Sequence, residues 1–239
     1  MTAKQQYNAF TSVLNAALGP CPSLLNGACR DFVTWDPHRG QVPRGWWGGL
    51  GSTEEIELVI VLGEPSLNTQ PGESYGEFPT VAEVSGFING LYQNVFPTKP
   101  LGTELPSERG SVHYNVMLLL QMCFGEDHSL DELAKRTWVT QAVLCSVKKG
   151  TLRRHHTSVR QTCWRKYLRM QLDLVPDAFI IPMGNKARDA VSFVAPSRRT
   201  PSINVMAAAR PSASSRRKDS LQSWEHAARE FRLWKNAGS

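Results

Sequence analysis

The run Ile56-Glu57-Leu58-Val59-Ile60-Val61-Leu62 is the segment that most restricts how this chain can fold. It is short, rich in β-branched residues, and stops at Gly63. A strand with one face in water alternates apolar and polar residues, so a run without alternation is a strand buried on both faces. Three further runs share this character, at 138–145, 178–183 and 203–208. Helical spacing falls between them, at 80–94 and 112–123, then 159–174, then 185–194. A closing helix is predicted over 218–235, with Leu221, Trp224, Ala228, Phe231 and Trp234 on one side, and an opening one over 4–18, with Phe10, Val13, Leu14 and Leu18. Strands alternating with helices predict an α/β fold in which helices cover both faces of a parallel sheet. The Gly- and Pro-rich stretch 19–55, which holds Trp35, Trp46 and Trp47, is expected to wrap the domain as ordered loop. The 239 residues then read as a single domain, with 1–55 as helix and wrapping segment and 56–239 as core.

Composition narrows the function classes. Apolar residues make up 41% and charged residues 20%, which excludes a disordered or fibrous chain. No apolar run approaches the roughly 20 residues that span a bilayer, and the start MTAKQQYNAF lacks the layout of a secretory signal. Five scattered cysteines do not read as a disulfide framework. The expectation is a cytoplasmic protein with no membrane association and no evident obligate protein partner. The net charge of +6 conceals an asymmetry: residues 1–134 carry 6 basic and 15 acidic side chains, residues 135–239 carry 21 and 6. The second half is therefore a candidate surface for a polyanion, nucleic acid above all, with solvated helix faces as the alternative.

In parallel sheets ligands bind beyond the carboxyl ends of the strands, so the loops after the four runs are where chemistry is expected. The first reads Gly63-Glu64-Pro65-Ser66-Leu67-Asn68 and continues to Tyr75 and Phe78. Its glycine permits a tight exit, and a carboxylate at Glu64 can orient water or stabilise a cationic transition state. The second follows Gln141, an amide inside an apolar strand that either satisfies nearby backbone or reads a ligand. Beyond it come Lys148, Lys149, Arg153, Arg154, His155, His156 and Arg160, a density that suits a phosphate backbone. The third, Met183-Gly184-Asn185-Lys186, is a glycine turn opening a helix. The fourth runs from Ala209 through Arg210, Ser212, Ser214 and Arg216 to Arg217, hydroxyls and guanidiniums on a short loop that can grip a phosphate. No Gly-x-Ser-x-Gly elbow, P-loop or deaminase signature is present.

Taken together these segments resemble the uracil-DNA glycosylase superfamily over roughly residues 43–232. The Gly63-Glu64-Pro65 loop is similar to that family's water-activating motif, and Thr140-Gln141-Ala142-Val143-Leu144-Cys145 to its base-reading strand. The stretch from Cys163 through Leu168, Gln171, Leu172, Pro176 and Ile180 to Gly184 and Ala187 follows its spacing, and Arg210-Pro211-Ser212 resembles its His-Pro-Ser. The resemblance implies a three-layer αβα sandwich around a central four-stranded parallel sheet. It also implies a DNA glycosylase that hydrolyses the N-glycosidic bond of a flipped pyrimidine. Glu64 and Arg210 would be catalytic, while Phe78, Gln141 and Asn68 would bind the base. Lys148, Lys149, Arg153, Arg154, Ser212, Ser214, Arg216 and Arg217 would hold the DNA.

Three departures bear on the substrate: the first motif is shortened and lacks its usual Asp or Asn, Gln141 stands for an Asn, and Arg210 for a His. They raise a modified pyrimidine, such as a bulky modified cytosine of phage DNA, as a candidate target, with a role in defence. Repair of uracil or another damaged base is one alternative, and a non-catalytic nucleic-acid-binding module on the same fold is another of a different class. The chemistry requires no metal. Some relatives hold a [4Fe–4S] cluster, for which Cys21, Cys29, Cys145 and Cys163 would be the ligands here. The wide spacing of Cys21 and Cys29 makes buried, reduced thiols the preferred reading.

Overall fold

The structure, a computed structural model, describes residues 10–25, 27, 29–65, 72–95, 112–148, 157–195 and 214–237. Their strands are β1 (Val33–Thr34), β2 (Trp47–Gly48), β3 (Leu58–Leu62), β4 (Thr137–Gln141), β5 (Ser146–Val147) and β6 (Phe179–Pro182). The helices are α1 (Thr11–Leu18), α2 (Pro22–Leu25), α3 (Val81–Val95), α4 (Val112–Phe124), α5 (Leu130–Arg136), α6 (Thr157–Cys163), α7 (Arg169–Asp173), α8 (Asn185–Val194) and α9 (Ser214–Ala237). A π-helical turn, Trp164–Leu168, joins α6 to α7, so the segment read as one helix over 159–174 is continuous but unevenly wound.

β3 lies inside the four-stranded sheet, whose order is β2-β4-β3-β6, and runs parallel to both β4 and β6. All five of its side chains are buried, which is why Leu-Val-Ile-Val-Leu shows no alternation. In register, Leu62 faces Gln141 across one ladder and Val61 faces Pro182 across the other. The three parallel strands therefore end at one level, and their outgoing loops start side by side.

The fourth strand of this sheet differs from expectation. It is β2, antiparallel to β4, so the sheet is mixed. The run at 203–208 lies outside the described residues. The stretch expected to be loop supplies β2 because Gly48 and Gly49, both at positive φ, lay the backbone directly on Thr137 and Trp138. A Cβ at Gly48 would overlap the Thr137 carbonyl oxygen, and one at Gly49 would sit 2.8 Å from the Trp138 ring. Trp46 and Trp47 are buried, the former donating from Nε1 to Ser85 Oγ at 2.9 Å.

Helices cover this sheet with the faces their spacing predicts. Val13, Leu14 and Leu18 of α1 are buried, and Phe10 just before it stacks on Trp138 at 3.9 Å between centroids. α8 packs on β3 and β6, while α9 packs on β6 and α4 through Trp224, Ala228 and Phe231. α5 has no counterpart among the predicted elements. It begins at a capping box in which Glu132 accepts from the Ser129 backbone at 2.7 Å and the Ser129 hydroxyl accepts from Glu132 N–H at 3.3 Å. None of the described helices is long and apolar enough to cross a membrane.

Candidate functional site

The loops after β3 and β4 are stitched together by backbone hydrogen bonds. Leu62 O accepts from Ala142 N at 2.8 Å, Gly63 O from Val143 N at 3.2 Å, and Pro65 O from Val147 N at 3.2 Å. Gly63 itself has no steric need to be glycine, since the nearest atom to an added Cβ is Lys186 Cβ at 3.6 Å. The stitching, not glycine's freedom, sets the exit.

This seam holds Glu64 in place, and its side chain is only 5% exposed. Oε1 accepts from Arg160 Nε of α6, and Oε2 accepts from Lys186 Nζ of α8 at 2.6 Å. Arg160 Nη2 is buried and has no hydrogen-bond partner among the described residues. Lys186 keeps half of its side chain in water. The expected lone carboxylate is thus the centre of a trio with one negative and two positive groups. Both cations stood in the loops singled out from the sequence, Arg160 at the end of the basic run and Lys186 after the Gly184 turn, but nothing in their spacing assigned them to Glu64.

Gln141 closes β4, and its residue is 8% exposed. No hydrogen bond joins its side-chain amide to another described residue, and neither amide atom is among the buried polar atoms left without a partner. It lies instead against Gly45. Phe78, on the segment entering α3, is 76% exposed and presents an open aromatic face. Between these two runs a buried chain of polar groups that the sequence did not reveal. Arg44 Nη1 donates to Glu73 Oε2 at 2.7 Å and to Gly40 O at 2.8 Å, and Tyr75 OH donates to Glu73 Oε1 at 3.3 Å. Burial and the Glu73 charge push the Tyr75 phenol well above its ordinary pKa. Burial, with the Arg44 charge, lowers that of His113 in α4 to about 4.

The basic residues divide. Lys148 donates from Nζ to Arg30 O at 3.1 Å, so its ammonium fastens the N-terminal segment to β5. Asn68, Lys149, Arg153, Arg154, Arg210 and Ser212 lie outside the described residues. Ser214, Arg216 and Arg217 stand in the first turns of α9, where a loop was expected; their side chains are outside the described part.

Cys21, Cys29, Cys145 and Cys163 line one cavity of about 30 Å³, together with Lys166 and Tyr167. Between Cys21 and Cys29 the residues Pro22–Leu25 form α2, and Cys29 N donates to Ser23 O at 3.1 Å, so both thiols line the same cavity despite the wide spacing. Burial raises the Cys29 pKa and lifts that of Cys163 to about 12. Burial acts the same way on Cys21 but is outweighed by hydrogen bonds from Ser23 and Tyr167 and by the Lys166 charge, which bring it below the ordinary thiol value. Lys166 Nζ is 3.6 Å from Cys21 Sγ. Among the described residues no three His, Cys, Asp or Glu side chains converge to hold a single metal ion. Four thiols line this cavity with no carboxylate or imidazole among them, and its volume is that of about one water molecule.

In comparisons with known proteins, no family model, no curated protein and no solved structure matches this chain.

Proposed function

We propose that the chain is a DNA glycosylase of the uracil-DNA glycosylase type, a three-layer αβα sandwich that hydrolyses the N-glycosidic bond of a flipped pyrimidine. A modified pyrimidine, such as a bulky modified cytosine of phage DNA, is the proposed target, with a role in defence. The observation that carries the reading is the placement, just beyond and at the ends of neighbouring strands, of a buried carboxylate, Glu64, and of Gln141, whose side-chain amide no described residue hydrogen-bonds.

Flipping costs a few kcal/mol (about that order) of unstacking. The basic second half, with Lys149, Arg153, Arg154, Ser212, Ser214, Arg216 and Arg217, meets that cost through phosphate contacts. The open ring of Phe78 offers a stacking face, and Gln141, both donor and acceptor, reads the polar edge of the base. Scission builds positive charge on the sugar and negative charge on the base. With both cations in contact the Glu64 trio has a net charge of the wrong sign to stabilise the sugar. Lys186, half in water, exchanges Glu64 for a DNA phosphate; the carboxylate then keeps Arg160 alone and has an oxygen free to orient water. Arg210 supplies the positive charge that stabilises the departing base. Cys21, Cys29, Cys145 and Cys163 would hold a [4Fe–4S] cluster, which when bound supplies a covalent pin between the N-terminal segment and the core.

A second reading, a non-catalytic nucleic-acid-binding module, is favoured by one observation: both Glu64 oxygens are already paired with cations. Single-turnover excision on duplexes carrying uracil, 5-hydroxymethyluracil, 5-hydroxymethylcytosine or its glucosylated form separates the two. The enzyme yields alkali-labile abasic sites, and Glu64→Gln lowers the rate by about 10²–10³-fold while DNA binding persists. Binding without product, unchanged by Glu64→Ala, leaves only the module. Product from uracil alone ends the modified-base assignment.

A further inference from the structure

Gln141 poses a mechanical question, since a side-chain amide that no described residue hydrogen-bonds needs something else to hold its rotamer. That role falls to Gly45. A Cβ at this position would lie 2.5 Å from the amide atom assigned as Nε2, 2.6 Å from Cγ and 2.9 Å from Cδ. The space that a Gly45 side chain would take is thus filled by the Gln141 side chain from Cγ to its amide. Gly45 has φ +86°, a conformation side chains rarely adopt.

The support is itself braced. Arg44 N donates to Leu144 O at 3.1 Å, just beyond Gln141, and Trp47 pairs with Val139 in the sheet. The buried Arg44 guanidinium reaches Glu73, which Tyr75 holds from the other side. Glu73 in turn lies on Gly40, where a Cβ would be 2.7 Å from Glu73 Cγ. Tyr75, Glu73, Arg44 and Gly45 thus form a continuous strut from the segment that carries Phe78 to the strand end that carries Gln141. We propose that Gly45, braced by the Arg44–Glu73 pair, is a positioning residue that fixes the Gln141 amide by contact alone and so sets which base edge the site accepts. The inference rests on the base-reading role given to Gln141 above. Packing supplies order while both polar atoms stay available, and a bonded amide would have to surrender a partner before reading a ligand.

Gly45→Ala would displace the amide by about 1 Å to regain ordinary contact, and a misplacement of that size costs on the order of 10²-fold in rate. The test is a cycle of wild type, Gly45→Ala, Gln141→Ala and the double variant. Single-turnover excision is read on duplexes with one uracil, 5-hydroxymethyluracil or 5-hydroxymethylcytosine. Gly45→Ala is expected to slow excision about 10²-fold and to change the ratio between bases, but to cost nothing further when Gln141 is already Ala. Gln141→Asn combined with Gly45→Ala, with a shorter side chain over the new methyl, should recover part of the rate. Equal losses in both backgrounds would make Gly45 merely structural and overturn the proposal. The free wild-type protein supplies a readout that needs neither a folded variant nor activity. The Gln141 side-chain NH₂ resonances, assigned by their loss in Gln141→Asn, should be as ordered as rigid backbone, and an order parameter below about 0.6 would overturn the proposal. If no base is excised, the glycosylase reading falls, and this resonance still decides whether Gly45 holds the amide.

Discussion

Glu64 has two oxygens and both are occupied, one from α6 and one from α8. Its two partners are predicted to behave differently because their exposure differs. Arg160 is mostly buried, and its loss leaves a buried carboxylate short of a partner; Arg160→Leu should lower unfolding stability by roughly 3 kcal/mol in urea titration. Lys186 stands half in water, so Lys186→Met should cost little stability and instead reduce the slope of log affinity against log salt by about 1. His113 gives the molecule an acid limb. Its pKa is about 4 in the fold and about 6.5 unfolded, so between those values the unfolded chain holds more protons. The stabilisation from keeping His113 neutral is complete above about pH 6.5 and lost as pH falls through 4, up to about 3 kcal/mol in all. His113→Gln should flatten this part of the stability curve, as read by denaturant midpoints across pH 4 to 7.

At the level of elements, what was legible depended on whether the signal was local. β3 could be read from five consecutive buried residues, and α8 from the Gly184 turn, because one segment contained the whole pattern. α5 carries an equally local signal in Ser129-Leu130-Asp131-Glu132, the capping-box pattern; Ser129→Ala should cost about 1 kcal/mol in chemical denaturation. β2 had no such signal. Two residues, one a glycine, make no period, and the strand exists because β4 offers it a ladder. The site divides along the same line. Glu64 and Gln141 were placed by the strands that end at them, whereas Arg160 and the Arg44–Glu73 pair join positions far apart in sequence and no spacing encodes them. The cysteines show the limit of counting residues along the chain, since Cys21 and Cys29, eight positions apart with α2 between them, line one cavity with Cys145 and Cys163. If the cavity holds a cluster, anaerobically purified protein should contain iron and sulfide in equal amounts, and Cys163→Ser should remove both; reduced thiols alone give neither.

Across the whole molecule the charge asymmetry of the two halves has a definite geometry. The acidic half brings Glu64 to a seam where the cations that meet it, Arg160 and Lys186, come from the basic half. Replacing Arg153 and Arg154 together by Ser should weaken binding to duplexes of any sequence and reduce the salt slope by about 2, a uniform loss that separates phosphate contact from base reading.

The antiparallel pairing of Trp47 with Val139 also has a consequence in time. A ribosome releases a chain at about 5–20 residues per second, so Trp47 and its neighbour Trp46 emerge several seconds before the strand with which Trp47 pairs. During that interval the nascent chain carries an unpaired, tryptophan-rich edge. Slowing translation after Trp47 has left the ribosome but before β4 has done so should therefore increase chaperone capture and aggregation of this protein. The same pause placed after β4 has cleared the ribosome should leave its yield unchanged.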